Sequence, residues 1–192
     1  MTNSNNQKRR CSWVSSDPLY INYHDNEWGV PQYDSLKLFE KICLEGQQAG
    51  LSWITVLKKR EEYRRCFYNF DPQKIIQLSN EDIERLLQNT GLIRNRLKLN
   101  GILKNAHAYL AMQRRGEDFS AFIWSFVNHT PIVNHYKHLS EVPISTEIAE
   151  KMSKALKKKG FTFVGATICY AFMQSMGLVN DHVEDCFKKI TR

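Results

Sequence analysis

The sequence predicts an all-α protein built from about eight to ten short helices. Apolar residues recur at intervals of three and four along most of the chain, which places them on one face of a helix. Aspartate, serine and threonine, which favour helix N-caps, precede several of these stretches. Only residues 161–164 resemble a strand, and the spacing of Val164, Ile168, Phe172 and Met176 favours a helix there instead.

Caps and apolar faces define the helices in the first half of the chain. Asp34 is a good N-cap, and Asp71 followed by Pro72 is typical of a helix start. Residues 79–82 resemble a capping box. The predicted helices cover residues 35–44, 53–67, 72–78, 81–88 and 99–115. The aromatic segment 19–31 fits neither a helical nor a strand period, although Asp17 and Pro18 before it indicate a turn or a helix start.

The second half of the chain has three more helical patterns and one long loop. The helices are predicted over residues 119–126, 146–159 and 164–176, and Asp118 is interpreted as the cap of the first. Residues 128–143 have no period and predict a loop. Asp181 is expected to cap a last short helix that carries His182 and Cys186.

A polar interruption separates the first two apolar patterns. Residues 45–50 read E-G-Q-Q-A-G, and packing alone does not account for a carboxylate and two amides there. Gly46 and Gly50 allow unusual backbone angles and the close approach of another molecule. The alternative is an ordinary turn between helices. Because Glu45 lies in this polar stretch, its replacement by Gln is expected to have little effect on folding.

Composition indicates a globular protein with a polyanion as a partner. The chain has 192 residues, a formal net charge of +7 and a pI near 9.2. A solvated helix face would explain any single basic run equally well. No apolar run reaches the ~18 residues of a membrane span, and the polar N-terminus does not resemble a secretory signal. We therefore expect a cytoplasmic protein with a disordered tail over residues 1–10.

Two cysteines and two histidines near the chain ends predict a metal site. His182 and Cys186 share one face of the predicted last helix, and Cys11 and His24 add a thiolate and an imidazole from the other end. Four such ligands form a closed tetrahedral site, which is typical of structural zinc and leaves no position for activating water. The alternative is a surface histidine and idle thiols.

A glycine turn between two predicted helices suggests a helix–hairpin–helix motif. Residues 89–96 read N-T-G-L-I-R-N-R, so backbone N–H groups near Gly91 and the next helix N-terminus would face a phosphate. Arg94, Arg96 and Lys98 would add charged contacts. An ordinary connection between two helices is the alternative.

Long motifs in the chain resemble a known family. They read R-C-S-W-V at residues 10–14, D-P-L-Y-I-N-Y-H-D-N-E-W-G-V-P at 17–31, L-E-G-Q-Q-A-G-L-S-W-I-T-V-L-K-K-R at 44–60, W-S-F-V-N at 124–128 and G-L-V-N-D-H at 177–182. In these segments the chain resembles the bacterial DNA-3-methyladenine glycosylases of the helix–hairpin–helix superfamily. The resemblance covers essentially all of residues 10–186.

The resemblance implies a role for each candidate residue. It implies the helix–hairpin–helix glycosylase fold, with one helical domain over residues 11–192, or two lobes with the base pocket between them. Glu45 and Tyr23 would be the catalytic and base-recognition residues. The remaining base-pocket residues would be Trp53, Trp13, Tyr20 and Trp28. The loop pushed into the DNA would be Gln48, Ala49, Gly50 and Leu51. One structural zinc per chain would be bound by Cys11, His24, His182 and Cys186.

The resemblance also implies an activity. A monomer would act on double-stranded alkylated DNA, hydrolyse the N-glycosidic bond of 3-methyladenine, release the free base and leave an abasic site. No catalytic aspartate is implied, and no lysine stands out as a nucleophile for strand cleavage. Two alternatives remain open at this point: a glycosylase for another damaged base, and a zinc-containing DNA-binding module without catalysis.

Overall fold

The structure, a computed structural model, describes residues 8–189 of the chain. Residues 1–7 of the tail predicted over residues 1–10 therefore lie outside the described residues. Arg10, at the end of that predicted tail, donates to the Asp25 carboxylate through its guanidinium. The α-helices of the described part are α1 (Pro18–Asn26), α2 (Ser35–Gln47), α3 (Trp53–Cys66), α4 (Pro72–Ile75), α5 (Asn80–Leu86), α6 (Arg96–Arg114), α7 (Phe119–Ser125), α8 (Glu147–Lys158) and α9 (Ala166–Ser175). Two-residue strands β1 (Ile132–Val133) and β2 (Val179–Asn180) accompany them, so the all-α prediction is confirmed.

Helix α1 lies in the aromatic segment whose pattern predicts neither helix nor strand. The Asp17 carboxylate accepts the Leu19 N–H at 2.9 Å, and Pro18 occupies the first turn. Its fully buried residues are the neighbours Tyr23 and His24. Since these two residues do not recur at helical spacing, the pattern of apolar residues does not predict helix α1.

Helix α2 is longer than predicted and contains the first half of the polar interruption. Asp34 caps it as expected, but the helix ends at Gln47 rather than at residue 44. The helix continues because its polar side chains bond inside the protein: Glu45 lies beside Lys41, and Gln47 binds the Lys98 carbonyl. The chain leaves the helix only at Gln48, and Gly50 then takes a φ of +76°.

Helices α3 to α7 follow the predicted order with shifted ends. Residues 79 and 82 form the predicted capping box at α5, and Asp118 caps α7. Helix α4 is shorter than predicted, and α6 begins three residues earlier, at Arg96. The long loop over residues 128–143 holds β1, which pairs in parallel with β2 through Ile132 and Val179.

Helix α9 begins at Ala166, so residue 164 lies outside it. Phe163 precedes the helix and has a φ of +54°, in a region of backbone angles that residues other than glycine rarely adopt. Its side chain packs between α2 and α6, against a glycine on each helix. A Cβ added at Gly46 of α2 would lie 2.9 Å from Phe163 Cβ, and a Cβ added at Gly101 of α6 would lie 2.8 Å from Phe163 Cδ2. Gly46 thus admits a neighbouring segment of the same chain, not another molecule.

The prediction of a last helix carrying His182 and Cys186 is wrong. Residues 181–189 form turns, with the Cys186 N–H donating to the Val183 carbonyl. Asp181 does not cap a helix, because its carboxylate accepts from the side chains of Asn134 and Gln174.

The centre of the fold is α2, which packs against α3, α6, α7 and α9. Residues 41–47 of this helix are all buried. The helix therefore presents its C-terminal turn to the interior, where the candidate site lies. No helix in residues 8–189 combines the length and apolar character that crossing a membrane requires.

Candidate active site

A cavity of about 180 Å³ opens beside the last turn of α2. Residues from α1, α2, α3, α9 and both chain ends line it: Cys11, Trp13, Tyr20, Tyr23, Trp28, Glu45, Gln48, Trp53, Leu139, Val142, Ala171, Gln174, Asp181 and Val183. All six residues predicted for the base pocket, and Gln48 from the predicted DNA-inserting loop, are in this set.

Aromatic rings form one wall of the cavity. The ring centroids of Trp13 and Tyr20 are 5.0 Å apart, and those of Tyr23 and Trp53 are 5.5 Å apart. Trp28 continues the wall beside Trp13, at 5.1 Å between centroids. Flat π surfaces at this spacing suit a planar ligand, above all a cationic one.

Two buried polar atoms in this wall have no hydrogen-bond partner among the described residues. They are Glu45 Oε2, an acceptor, and Trp53 Nε1, a donor. Glu45 is 2% exposed and Trp53 is 8% exposed, so water solvates neither side chain freely. Because a buried polar group without a partner costs free energy, the pair indicates a ligand that both donates and accepts hydrogen bonds.

Lys41 is a site residue that the sequence analysis missed. Its Nζ lies 3.1 Å from Glu45 Oε1 and donates to the Tyr23 hydroxyl at 2.8 Å. It also lies 3.3 Å from the centroid of the Trp53 ring. Burial lowers the pKa of Lys41 to about 8 even though Glu45 opposes the shift. Its spacing of four residues from Glu45 was the available signal, but such pairs usually lie on solvated helix faces.

The opposite side of the cavity was also missed. Asp181 is buried and accepts from Asn134 Nδ2 at 2.7 Å, from Gln174 Nε2 at 2.9 Å and from the Tyr170 hydroxyl. This carboxylate raises the pKa of Tyr170, together with the larger effect of burial. Leu139, Val142, Ala171 and Val183 complete this side. They come from segments that are distant in sequence, so no motif joins them.

The four predicted metal ligands lie together. One ligand atom from each of Cys11, His24, His182 and Cys186 lies within 4.8 Å of the others, and all four residues are buried. The chemistry of the set suits zinc, which binds thiolates and imidazoles in tetrahedral sites. The hydrogen bond between the two thiols lowers the pKa of Cys186 and raises that of Cys11, so it favours one thiolate in the pair.

Neighbouring groups orient both imidazoles toward the centre of this cluster. His24 Nδ1 lies 2.8 Å from an Asp25 oxygen, which leaves Nε2 toward Cys186 Sγ at 3.5 Å. His182 Nε2 lies 3.2 Å from the Trp28 carbonyl, which leaves Nδ1 toward the two sulfurs. An acceptor behind each ligand ring is the usual arrangement at metal sites. Tight turns bring His182 and Cys186 together, in place of the predicted helix.

The predicted DNA-inserting loop lies at the rim of the cavity. Leu51 is 41% exposed, and its N–H donates to the Gln48 carbonyl at 2.6 Å, closing a turn that contains Gly50. Gly50 has a φ of +76°, and a Cβ there would meet no atom within 4 Å. The turn thus presents an apolar side chain outward next to open space.

The predicted phosphate contacts of the hairpin need two corrections. The Gly91 N–H already donates to the Asn89 side chain at 2.8 Å, so it is not available to a phosphate. Lys98 is buried, and its Nζ donates to the carbonyls of Gln47 and Ala49. Lys98 therefore supports the loop after α2 instead of facing DNA.

The two arginines of the hairpin remain on its surface. Arg94 is exposed, as a phosphate contact requires. Arg96 is also exposed but forms an ion pair with Glu84, which any phosphate would have to displace.

Comparisons with known proteins show the family of this chain. A sequence profile described as methyladenine glycosylase matches residues 13–189. The DNA-3-methyladenine glycosylase of Haemophilus influenzae is 65% identical over 177 residues, which are 92% of this chain and 96% of that protein. The crystal structure of a 3-methyladenine DNA glycosylase I is 62% identical with a TM-score of 0.94, over 95% of this chain and 100% of that one.

A second solved structure contains a bound ligand. It is a tyrosine-to-phenylalanine variant of a 3-methyladenine DNA glycosylase I in complex with 3-methyladenine, 40% identical with a TM-score of 0.91, over 95% of this chain and 98% of that one. The matches span nearly the whole chain in both sequence and fold. The chain belongs to the methyladenine glycosylase family.

Proposed function

We propose that this protein is a monofunctional DNA glycosylase that hydrolyses the N-glycosidic bond of 3-methyladenine in alkylated DNA. The observation that carries the proposal is the cavity itself, with π-rich walls and the unpartnered acceptor Glu45 Oε2. A relative of the same fold has been solved in complex with 3-methyladenine. The other class considered, a DNA-binding module, has no use for a buried carboxylate, because phosphate repels it.

Recognition follows from the chemistry of the alkylated base. Methylation at N3 makes the base of the nucleotide cationic, and a cation over an aromatic face gains about 0.5–2 kcal/mol. Glu45 accepts a hydrogen bond from the exocyclic amine of adenine, whereas guanine has a carbonyl oxygen at that position and would oppose a second acceptor. The base is enclosed by the rings of Trp53, Tyr23, Tyr20, Trp13 and Trp28.

The reaction needs little acid–base help from the protein. The bond between C1′ and N9 breaks with its electron pair passing to the base, so the cationic base leaves neutral and the sugar becomes an oxocarbenium ion. Water then adds to C1′ and loses a proton. Lys41 is not one of the residues that line the cavity, because its ammonium bonds to Glu45 and Tyr23 behind the wall. We therefore expect no strand cleavage.

Base extrusion assigns roles to the loop and the hairpin. Rotating a base out of the duplex costs a few kcal/mol, least for a damaged base. We propose that Leu51 fills the gap in the duplex, with Gln48, Ala49 and Gly50 shaping the loop around it. Arg94 and the N-terminus of α6 bind the backbone of the double-stranded DNA.

We also propose that Cys11, His24, His182 and Cys186 bind one structural Zn²⁺ per chain. Four protein ligands leave no position for a reactive water, so the ion ties the chain ends together and takes no part in the reaction. The monomeric state, the cytoplasmic location and the single glycosylase domain stay predictions.

The test is release of free bases from methylated duplex DNA, separated by chromatography. The expected result is 3-methyladenine release by the wild type and none from unmethylated DNA. Release of 3-methylguanine or 7-methylguanine alone would assign another substrate, and binding without any release would assign a DNA-binding module.

A further inference from the structure

Lys41 is a buried lysine at the back of the base pocket. Its side chain is 7% exposed, and its ammonium contacts three pocket residues: Glu45, Tyr23 and Trp53. A lysine seldom lies in such a place unless its charge has partners, because desolvating an ammonium is costly. Its position behind the pocket wall therefore calls for a reason beyond packing.

The first contact fixes the orientation of Glu45. Oε1 is taken by the ammonium at 3.1 Å, whereas Oε2 has no partner among the described residues. A carboxylate held by one oxygen cannot rotate freely, so the remaining oxygen stays directed as an acceptor. An ionised carboxylate accepts hydrogen bonds but cannot donate them.

The second contact fixes the polarity of Tyr23. Its hydroxyl oxygen accepts from Lys41 at 2.8 Å, so the hydroxyl proton must point away from the ammonium. Burial raises the pKa of Tyr23 well above its ordinary value, and the charge of Glu45 adds to this shift, so the proton stays on the oxygen. The hydroxyl proton of Tyr23 is therefore left for an acceptor other than Lys41.

We propose that Lys41 is a positioning residue for base selection, which acts through Glu45 and Tyr23. By binding Glu45 Oε1 and the Tyr23 hydroxyl oxygen, Lys41 presets one acceptor and one donor. These match the edge of adenine that carries an amine next to a ring nitrogen. Guanine carries two acceptors on the corresponding edge and would meet the acceptor of Glu45 unfavourably. This inference rests on the proposed function, because it concerns selection by the same pocket.

The test is a double-mutant cycle with Lys41→Met, Glu45→Gln and the combined variant. Single-turnover release of 3-methyladenine is measured after subtraction of spontaneous loss. We expect Lys41→Met to slow release about tenfold in the wild-type background and less than about twofold beside Glu45→Gln, since residues that act together are not additive. Lys37→Met, an exposed lysine one turn earlier on α2, is the matched control and should retain full activity.

A second measurement separates positioning from a general loss of structure. Free 3-methyladenine and free 3-methylguanine are titrated while tryptophan fluorescence is followed. Lys41→Met should weaken binding of 3-methyladenine and narrow its preference over 3-methylguanine. If this variant fails to fold by circular dichroism, Lys41→Gln is used, because it keeps an amide donor of similar length.

The outcomes distinguish this inference from the proposed function. Equal slowing by Lys41→Met in both backgrounds, or wild-type activity of Lys41→Met, would overturn the positioning role while the glycosylase remains. Absence of 3-methyladenine release by the wild type would overturn the function itself.

Discussion

Glu45 and Lys41 lie one helical turn apart on α2, and burial decides how each responds to change. Glu45 is 2% exposed, so its surroundings are not those of the polar loop that the residue pattern indicates. The expectation that Glu45→Gln leaves folding almost untouched therefore changes once the helix is seen to contain it.

Glu45→Gln should abolish most excision activity and also lower thermal stability. The neutral amide cannot replace the ionised acceptor, and the Lys41 ammonium loses its counter-charge. Loss of a hydrogen bond to a charged group costs about 1.5–3 kcal/mol. Thermal melting by circular dichroism measures the loss. Glu61→Gln, at a glutamate whose side chain is 79% exposed, is the control and should melt like the wild type. An unchanged melting temperature for Glu45→Gln would contradict the buried ion pair.

The protonation of Lys41 should make excision fall as the pH rises through about 8, its pKa in the folded protein. Burial is the main cause of this pKa, and the charged groups that act on Lys41 are Glu45, Arg60 and Glu27, with the Tyr23 hydroxyl in contact. Deprotonation removes the contact that orients Glu45. The pH profile of single-turnover excision should lose this step in Lys41→Met.

The same group has the opposite effect on stability. Its pKa in the folded protein lies below the ordinary value of 10.5, so between about pH 8 and 10.5 the unfolded chain binds more protons. Lys41 therefore makes the fold more stable as pH rises through that window. The melting temperature of the wild type should therefore rise relative to that of the double variant Lys41→Met/Glu45→Gln as the pH increases from about 8 to 10.5. A constant difference would argue against a buried charged lysine.

At the scale of elements, a buried hydrogen-bond network joins the hairpin to the loop after α2. The Ile93 N–H donates to the Tyr63 hydroxyl, which donates to Gln47 Oε1. Gln47 Nε2 donates to the Lys98 carbonyl, and Lys98 Nζ returns to the carbonyls of Gln47 and Ala49. The position of Leu51 is thus tied to the position of the hairpin.

Lys98→Met should loosen this loop and slow excision about tenfold, because two buried carbonyls lose their donor. Binding of the free base should change little, since the pocket wall is intact. Hydrogen exchange at residues 48–52 measures the loosening. The control is Lys104→Met, at an exposed lysine on the same helix. Unchanged exchange would show that Lys98 does not hold the loop.

Arg94→Ala should weaken DNA binding uniformly across sequences and reduce the slope of log affinity against log salt by about 1. Arg96→Ala should have a smaller effect, because Arg96 is already paired with Glu84. Titration of duplex DNA at several salt concentrations measures both. Equal slopes for Arg94→Ala and the wild type would exclude a phosphate contact at Arg94.

At the scale of the whole molecule, the four buried ligands join the first described residues to the last. Cys11 and His24 come from the N-terminal part, and His182 and Cys186 come from turns that no helix stabilises. Turns of this kind depend on side-chain contacts to stay in place. Binding of the proposed Zn²⁺ would therefore be coupled to folding of both ends.

Cys186→Ser should lower the zinc content and the melting temperature together. The loss should resemble that produced by a strong chelator on the wild type. Cys66→Ser, at a half-buried cysteine outside the cluster, is the control and should keep its metal. Metal analysis of protein purified without added zinc, with melting in parallel, decides the point. Full metal content with unchanged melting in Cys186→Ser would contradict the site.

Local sequence rules accounted for most helices, and the family resemblance pointed to residues that the structure places together. Asp34, Ser79 and Asp118 cap the helices that they were expected to cap. Their effect depends on hydrogen bonds within three residues, which a sequence displays directly. The long motifs likewise identified the six pocket residues that line the cavity and the four clustered ligands.

Burial and partners between distant segments could not be predicted in this way. Lys41 and Lys98 look like solvated helix lysines, yet their ammonium groups bond inside the protein. Phe163 has a left-handed backbone, and two glycines on different helices leave room for its ring.

Local chemistry in the chain was sufficient to determine that it forms capped helices, and its motifs were sufficient to identify its family. Only the tertiary structure decided that Glu45 is buried with a lysine and that turns bring the C-terminal ligands together. The physical reason is that capping acts between neighbours in sequence, whereas desolvation and ion pairing depend on what the folded chain places within a few ångströms.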